Sequence, residues 1–245
     1  MCLIALAQGM SETYPLIIAA NRDEFYERPT RDAHVWSDAP RVVGGRDALH
    51  GGAWLAVTRE GRFAAVTNLR GAMTRGRSRG FLVRDFVAGD AEPLAYARSI
   101  DVARYAGFHL LVGQVGGDVA YVASTPRLLE PGIYGISNAP EGEHWPKEAT
   151  AIEAMRHALT LDDPTEELLA FLAAPRGTND PEQEVFIASE RYGTRSSTVI
   201  LVSRDAVVFR EFIPTAARDL RWRSDAGSPW RADGDGTEDP SPRSG

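Results

Sequence analysis

The chain predicts an α+β fold built on antiparallel strands. Two observations carry this expectation. The apolar runs come in pairs separated by short turn segments, which is how hairpins read in sequence. The helical stretches are grouped in two blocks between those hairpins instead of alternating with single strands, which argues against a doubly wound parallel sheet. At 245 residues, 43% hydrophobic and 25% charged, the chain has ordinary globular composition.

Taken in order, residues 2–8 and 15–20 are short apolar runs separated by residues 9–13, a first hairpin. Their nearly continuous apolar character predicts strands covered on both faces. Residues 21–40 are polar and read as loop. Gly44-Gly45 and Gly51-Gly52 bracket a turn-rich loop. Residues 53–58 and 62–67, joined by Arg59-Glu60-Gly61, form a second hairpin. Residues 79–88 and 92–104 read as helices, with Pro93 suited to a first helical turn. Residues 108–112 and 119–123 flank Gly116-Gly117-Asp118, a third hairpin, and 134–137 is a short strand. Ala151, Ile152, Met155 and Leu159 recur at helical spacing over 147–159. A shorter helix follows over 164–173, with Asp163 as its cap. Residues 198–202 and 207–212 form the last hairpin. No internal linker divides residues 1–223, so they read as one domain. Residues 224–245, rich in Gly, Pro, Ser and Asp, read as a disordered tail.

Composition narrows the function. Cys2 is the only cysteine, which excludes an internal disulfide and a cysteine-rich metal site and fits a reducing compartment. No apolar run reaches the roughly 18 residues that span a bilayer. The N-terminus lacks the basic segment of a signal peptide, so a cytoplasmic location is expected. The net charge is −7, Lys147 is the only lysine, and the arginines are scattered apart from Arg75, Arg77 and Arg79. Nucleic acid is therefore not an expected partner. His34, His50, His109, His144 and His157 lie too far apart to suggest a metal site, and no metal is expected. The glycine-rich stretch at 44–52 lacks the Lys-Ser/Thr ending of a phosphate loop.

Cys2 is the informative residue. Removal of Met1 would leave a chain that begins with a thiol and a free α-amine. An α-amine titrates at about 7.7–8.0, so part of it is neutral near pH 7 and can serve as general base for the thiol of its own residue. Position alone does not decide this, because cysteine also serves as a small buried hydrophobe in an apolar strand. Four polar spots at strand ends add to it. Asn21-Arg22-Asp23-Glu24 ends the second strand, Asn68 ends the run at 64–67, Asn138 follows 134–137, and Arg195 precedes the strand at 198. Taken singly, each has a structural explanation as a turn residue or an ion pair. Together they suit amide hydrolysis: an arginine favours the thiolate, an aspartate orients the amine, and asparagine amides stabilise an oxyanion.

The string Asn21-Arg22-Asp23-Glu24 joins Cys2, Gly44-Gly45-Arg46-Asp47, Gly52-Ala53-Trp54-Leu55, Thr67-Asn68, Ser78-Arg79-Gly80, Ser137-Asn138, Trp145-Pro146 and residues 192–197 in one ordered pattern. That pattern resembles the NRDE family, also called the Transport and Golgi organization 2 family, from residue 1 to about 213. The resemblance implies a four-layer αββα N-terminal nucleophile hydrolase-like sandwich of antiparallel sheets. It also implies similarity to penicillin V acylases and bile salt hydrolases. On that basis Cys2, Arg22, Asp23, Asn68, Asn138 and Arg195 are the expected catalytic residues, and Asn21, Glu24, Trp54 and Arg79 the expected substrate contacts. The acylases separate their Arg and Asp by two residues. Here the two are adjacent, which leaves open which of residues 21–24 takes each orienting role. The expected activity is a cysteine amidohydrolase acting on a non-peptide C–N bond of a small acyl substrate, with no cofactor required. The alternative implied by the family is a non-enzymatic carrier of haem, an acyl lipid or acyl-coenzyme A. Arg75, Arg77 and Arg79 form either a solvated loop or a contact for an anionic head group.

Overall fold

A computed structural model describes residues 2–71, 76–178, 180–213, 216–223 and 231–232. Along the chain run β1 (Leu3–Gln8), β2 (Leu16–Phe25), β3 (Thr30–Trp36), β4 (Ala39–Asp47), β5 (Leu55–Thr58) and β6 (Arg62–Asn68). Then come α1 (Gly80–Ala88), α2 (Pro93–Ser99), β7 (Phe108–Gln114), β8 (Val119–Val122), β9 (Arg127–Leu128), β10 (Gly132–Ile136), α3 (Pro146–Ala158) and α4 (Thr165–Ala173). The chain ends with β11 (Tyr192–Val202), β12 (Ala206–Ile213), β13 (Ala216–Arg223) and β14 (Arg231–Ala232). These strands form two seven-stranded sheets, ordered β10-β1-β2-β11-β12-β13-β14 and β3-β4-β5-β6-β7-β8-β9. The ladders between them are antiparallel. Among the described residues no helix is long and apolar enough to cross a membrane.

The alternating burial of the strands explains the layers. Side chains two apart on a strand share a face. On β1, Ile4 and Leu6 pack with Ile18, Val43, Leu55, Phe63, Leu111 and Ile200 between the two sheets. The intervening Leu3, Ala5 and Ala7 pack instead with Ala151, Met155, Leu168 and Leu172 of α3 and α4. The outer face of the second sheet is covered by Leu82, Val83, Phe86 and Ala97 of α1 and α2. The result is helices, sheet, sheet, helices, with three apolar layers, as the sequence leads one to expect. Strands buried on both faces explain why their runs lack polar alternation. The Asp163 carboxylate accepts the Thr165 N–H at 3.0 Å, but α4 begins at Thr165 with Pro164 at its N-cap position, so Asp163, expected as the cap, stands one residue before it.

Five elements differ from the sequence expectation. Residues 21–25 continue β2, and residues expected as loop form β3 and β4. β3 is the open edge of its sheet and only half buried, so it carries polar residues that a central strand would not. Gly44 and Gly45 mark close approach within β4 instead of a turn. A Cβ on Gly44 would lie 2.6 Å from the Leu55 carbonyl oxygen, and one on Gly45 2.2 Å from the Trp54 ring. The helix expected over 92–104 stops at Ser99, where Ile100 turns extended, and a single 3₁₀ turn covers Val102–Arg104. β11 starts at Tyr192 and carries Arg195 inside the strand, where the register with β2 shifts between Thr194 and Ser196. The tail expected from 224 lies outside the described residues except for β14, two residues of which pair with β13.

Candidate active site

The ends of β1, β2 and β6 and the start of α1 enclose a cleft of about 420 Å³. Its walls include Cys2, Arg22, Asp23, Trp54, Asn68 and Arg79. The sheet register explains why they meet. Leu3 pairs with Asn21 on β2, and Ile4 pairs with Ile136 on β10. Continued one residue past the start of β1, the register with β2 sets Cys2 opposite Arg22. The Cys2 thiol points at the Asp23 carbonyl oxygen, 3.9 Å away. Burial pushes the thiol pKa up and the charge of Asp23 adds to it, while the guanidinium of Arg22 pulls it down.

Residues 21–24 divide their work by strand periodicity. Asn21 follows Ile17 and Ala19 onto the helix-covered face. Its amide donates to the carbonyl oxygens of Leu172 at 2.8 Å and Val185 at 2.9 Å. It ties β2 to the end of α4 and is not among the walls of the cleft. Arg22 follows Ile18 and Ala20 onto the inter-sheet face, where its guanidinium lies 4.2 Å from the centroid of the Trp54 ring. It is 6% exposed, and its Nη1 has no hydrogen-bond partner. Burial lowers its pKa, opposed by the nearby Glu24 and Cys2. Asp23 turns back toward the helix side. Its carboxylate accepts from Thr194 Oγ1 at 2.7 Å, and Tyr192 donates to its backbone oxygen at 3.0 Å. Burial raises the Asp23 pKa, against the Thr194 hydrogen bond and the charge of Lys147. Glu24 lines the cleft mouth, 3.9 Å from Arg22 and 3.5 Å from Arg28.

Asn138 and Arg195 are not among the cleft walls. The Asn138 side chain donates to the Asn68 carbonyl, while the Asn138 carbonyl accepts from Arg70 N at 2.9 Å. Thr67 Oγ1 donates to the Ser137 carbonyl at 2.7 Å, so these contacts join the end of β6 to the end of β10. Arg195 Nη1 donates to three carbonyls, those of Phe25 at 2.9 Å, Tyr26 at 3.0 Å and Arg28 at 3.1 Å. It fastens the loop after β2 and so the position of Arg28. Arg79 enters the wall from the start of α1 and donates to the Gly107 carbonyl at 3.1 Å. Burial lowers its pKa, countered by Cys2 and Glu24. Arg77 also lines the cleft and pairs with Asp85 at 3.3 Å; Arg75 lies outside the described residues.

Sequence reasoning missed Arg28, Asp47 and His50. Asp47 accepts from Arg28 at 2.8 Å and contacts His50 at 3.1 Å. Burial works against its charge, yet Arg28 and the Leu49 N–H hold its carboxyl below the usual range. Its presence within Gly44-Gly45-Arg46-Asp47 was the available signal. Among the described residues no cluster of His, Cys, Asp and Glu is arranged to hold a metal ion.

The arrangement offers a thiol, a desolvated arginine and a buried carboxylate within one cleft. Comparison with known proteins agrees with it. Residues 1–211 match the sequence pattern of Transport and Golgi organisation 2. The Transport and Golgi organization protein 2 homolog of Bos taurus is 34% identical over 252 residues, covering 86% of this chain and 91% of its own. Two solved structures share the fold at low identity. A Caenorhabditis elegans ortholog of N-acylethanolamine-hydrolyzing acid amidase superposes with a TM-score of 0.51 at 15% identity, covering 82% of this chain and 92% of its own. A cysteine-to-alanine mutant of conjugated bile acid hydrolase from Clostridium perfringens superposes with 0.54 at 8% identity, covering 95% and 96%. With its antiparallel sheets between helical layers and a family match across nearly all of the described domain, the chain belongs to the Transport and Golgi organisation 2 family.

Proposed function

We propose that this protein is an N-terminal cysteine hydrolase that cleaves a non-peptide C–N amide bond of a small acyl compound. The observation that supports it most is the convergence of Cys2, Arg22, Asp23 and Asn68 on one cleft. Once Met1 is removed, the Cys2 α-amine takes the thiol proton as sulfur attacks the amide carbonyl. A C–S bond forms, the C–N bond breaks, and the amine passes the proton to the leaving nitrogen. Water then cleaves the thioester, releasing the carboxylic acid and restoring the thiol. Arg22 favours the thiolate, and Asp23 orients the α-amine. Backbone near Asn68, which lines the cleft, supplies an oxyanion donor, and the Asn138 amide holds that backbone in place through the Asn68 carbonyl. One such donor contributes about 3–4 kcal/mol to the transition state. Two solved relatives of this fold are by name amide or conjugate hydrolases, which supports the reaction class.

The test is intact mass of the purified protein, to establish loss of Met1, with activity-based labelling by acyl-amide and lactam electrophiles and peptide mapping. Labelling is expected on Cys2 and absent in Cys2→Ala. Amide hydrolysis by Cys2→Ala at the wild-type rate would overturn the nucleophile assignment. One observation favours a second reading: burial raises the Cys2 pKa, as suits a pocket lining more than an exposed reagent. In that reading the cleft carries a hydrophobic acyl ligand or haem without turnover, Met1 is retained, and haem titration gives a Soret band that Cys2→Ala loses.

A further inference from the structure

Outside the cleft, one buried histidine is held at both ring nitrogens. His109 lies on β7, opposite Thr67 of β6, and is 6% exposed. Its Nε2 lies 2.8 Å from the Ala139 carbonyl oxygen, and its Nδ1 lies 2.6 Å from the Tyr121 hydroxyl on β8. A carbonyl only accepts, so Nε2 carries the hydrogen. Burial lowers the His109 pKa, opposed by the Ala139 hydrogen bond and the charges of Glu148 and Glu141, so the ring is neutral at pH 7. Nδ1 is then an acceptor. Tyr121, whose pKa burial raises to about 12, keeps its proton and donates to it. The tautomer is thereby fixed: Tyr121 donates to His109, and His109 donates to Ala139.

The place of Ala139 gives this contact its weight. Residues 137–139 follow β10, and each is tied down. The Ser137 N–H and Oγ donate to the Glu148 carboxylate at 3.1 Å and 2.6 Å, and the Ala139 N–H donates to Ser137 Oγ at 3.2 Å. Thr67 Oγ1 donates to the Ser137 carbonyl, and His109 to the Ala139 carbonyl. Thr67 and His109 are cross-strand partners, so the end of the second sheet holds the carbonyls on either side of Asn138. Asn138 in turn donates to the Asn68 carbonyl, and Asn68 lines the cleft with Cys2. His109 and Tyr121 are not among the cleft walls. With Glu148 they line a separate cavity of about 320 Å³, so a substitution there leaves the cleft walls themselves unaltered.

We propose that His109, its tautomer set by Tyr121, is a positioning residue for the oxyanion side of the cleft: its Nε2–H fixes Ala139 and so, through Asn138, the backbone of Asn68. A ring anchored at both nitrogens has no freedom to turn, which suits it to hold a backbone segment in one place. Oxyanion donors act only when they stand at hydrogen-bond distance from the developing charge, so a small displacement of Asn68 weakens them. This role rests on the proposed function and names a part of its machinery. Chemistry at Cys2 that builds no oxyanion is indifferent to it.

Two reagents separate these cases. Acylation of Cys2 by a β-lactam passes through a tetrahedral oxyanion, whereas alkylation by iodoacetamide is a displacement at carbon and forms none. Cys2 is the sole thiol, so intact mass reads both reactions at that side chain alone. His109→Leu is expected to slow acylation roughly tenfold to a hundredfold and to leave alkylation as in wild type. Tyr121→Phe slows acylation less and adds nothing to His109→Leu. His109→Gln, whose amide reaches the Ala139 carbonyl, restores most of the rate. A folded His109→Leu that acylates at the wild-type rate, or that slows in both reactions equally, overturns the proposal. ¹⁵N-histidine spectra of the unaltered protein test it even if no variant folds: a neutral His109 protonated at Nε2 supports it, and an Nδ1–H tautomer or an imidazolium at pH 7 overturns it. Failure of the nucleophile reading shows separately, as wild-type Cys2 that is alkylated but never acylated.

Discussion

Replacing Asn21 by alanine separates the structural from the chemical half of residues 21–24. The side chain is 2% exposed and donates two hydrogen bonds, to Leu172 O and Val185 O. Leu172 lies in the last turn of α4, where a carbonyl has no helical donor four residues on. Truncation strands two buried acceptors at about 1–3 kcal/mol each. It also removes Asn21 Oδ1, which is buried and without a partner, and so relieves one such cost. The net expectation is about 2 kcal/mol of lost stability, or roughly 4–8 °C in Tm for a domain of this size. Urea unfolding followed by circular dichroism gives the first quantity, and the alkylation rate of Cys2 gives the second. The rate should be unchanged, because Asn21 faces the helices and Cys2 the space between the sheets. An Asn21→Ala protein as stable as wild type, or a stable one with tenfold altered Cys2 reactivity, would refute the division of roles.

Two further outcomes follow from the same geometry. Arg195→Ala removes three hydrogen bonds to the loop at 25–28, so amide exchange should accelerate there and substrate affinity should fall more than turnover; unchanged protection of those amides would count against the clamp. Glu211 is 1% exposed and accepts from Ala33 N at 2.7 Å, and burial raises its pKa above 4.5. A raised carboxyl adds stability that is complete below the unfolded value and is lost as pH rises through the folded one. Glu211→Gln should therefore match wild type at pH 4 and gain on it as pH rises past 4.5. A constant difference across that range would contradict it.

Most of the fold was legible because strands covered on both faces betray themselves as unbroken apolar runs, and most of the expected site residues already stood at or beside the ends of such runs. The losses have physical causes. β3 hid because an edge strand is free to be polar. β4 hid because Gly44 and Gly45 carry the same letters whether a chain turns or another backbone presses close. Asn21 was read as a substrate contact because a motif gives neighbours in sequence, not the faces they point to. Lys147 is visible in sequence only as a lone lysine near the start of a helix, and its burial depends on a packing of α3 that no local pattern encodes.

The adjacency of Arg22 and Asp23 has a consequence for how this strand tolerates change. A β-strand is a device of parity: odd and even positions look out on different rooms. Arg22 and Asp23 face opposite sides of β2 only because they occupy consecutive positions, so their arrangement holds only while the count along the strand is kept. One residue inserted or deleted between Leu16 and Ala20 would exchange the two. The carboxylate would then face Trp54 and the guanidinium the helices, with every side chain of the motif still present and the arrangement reversed.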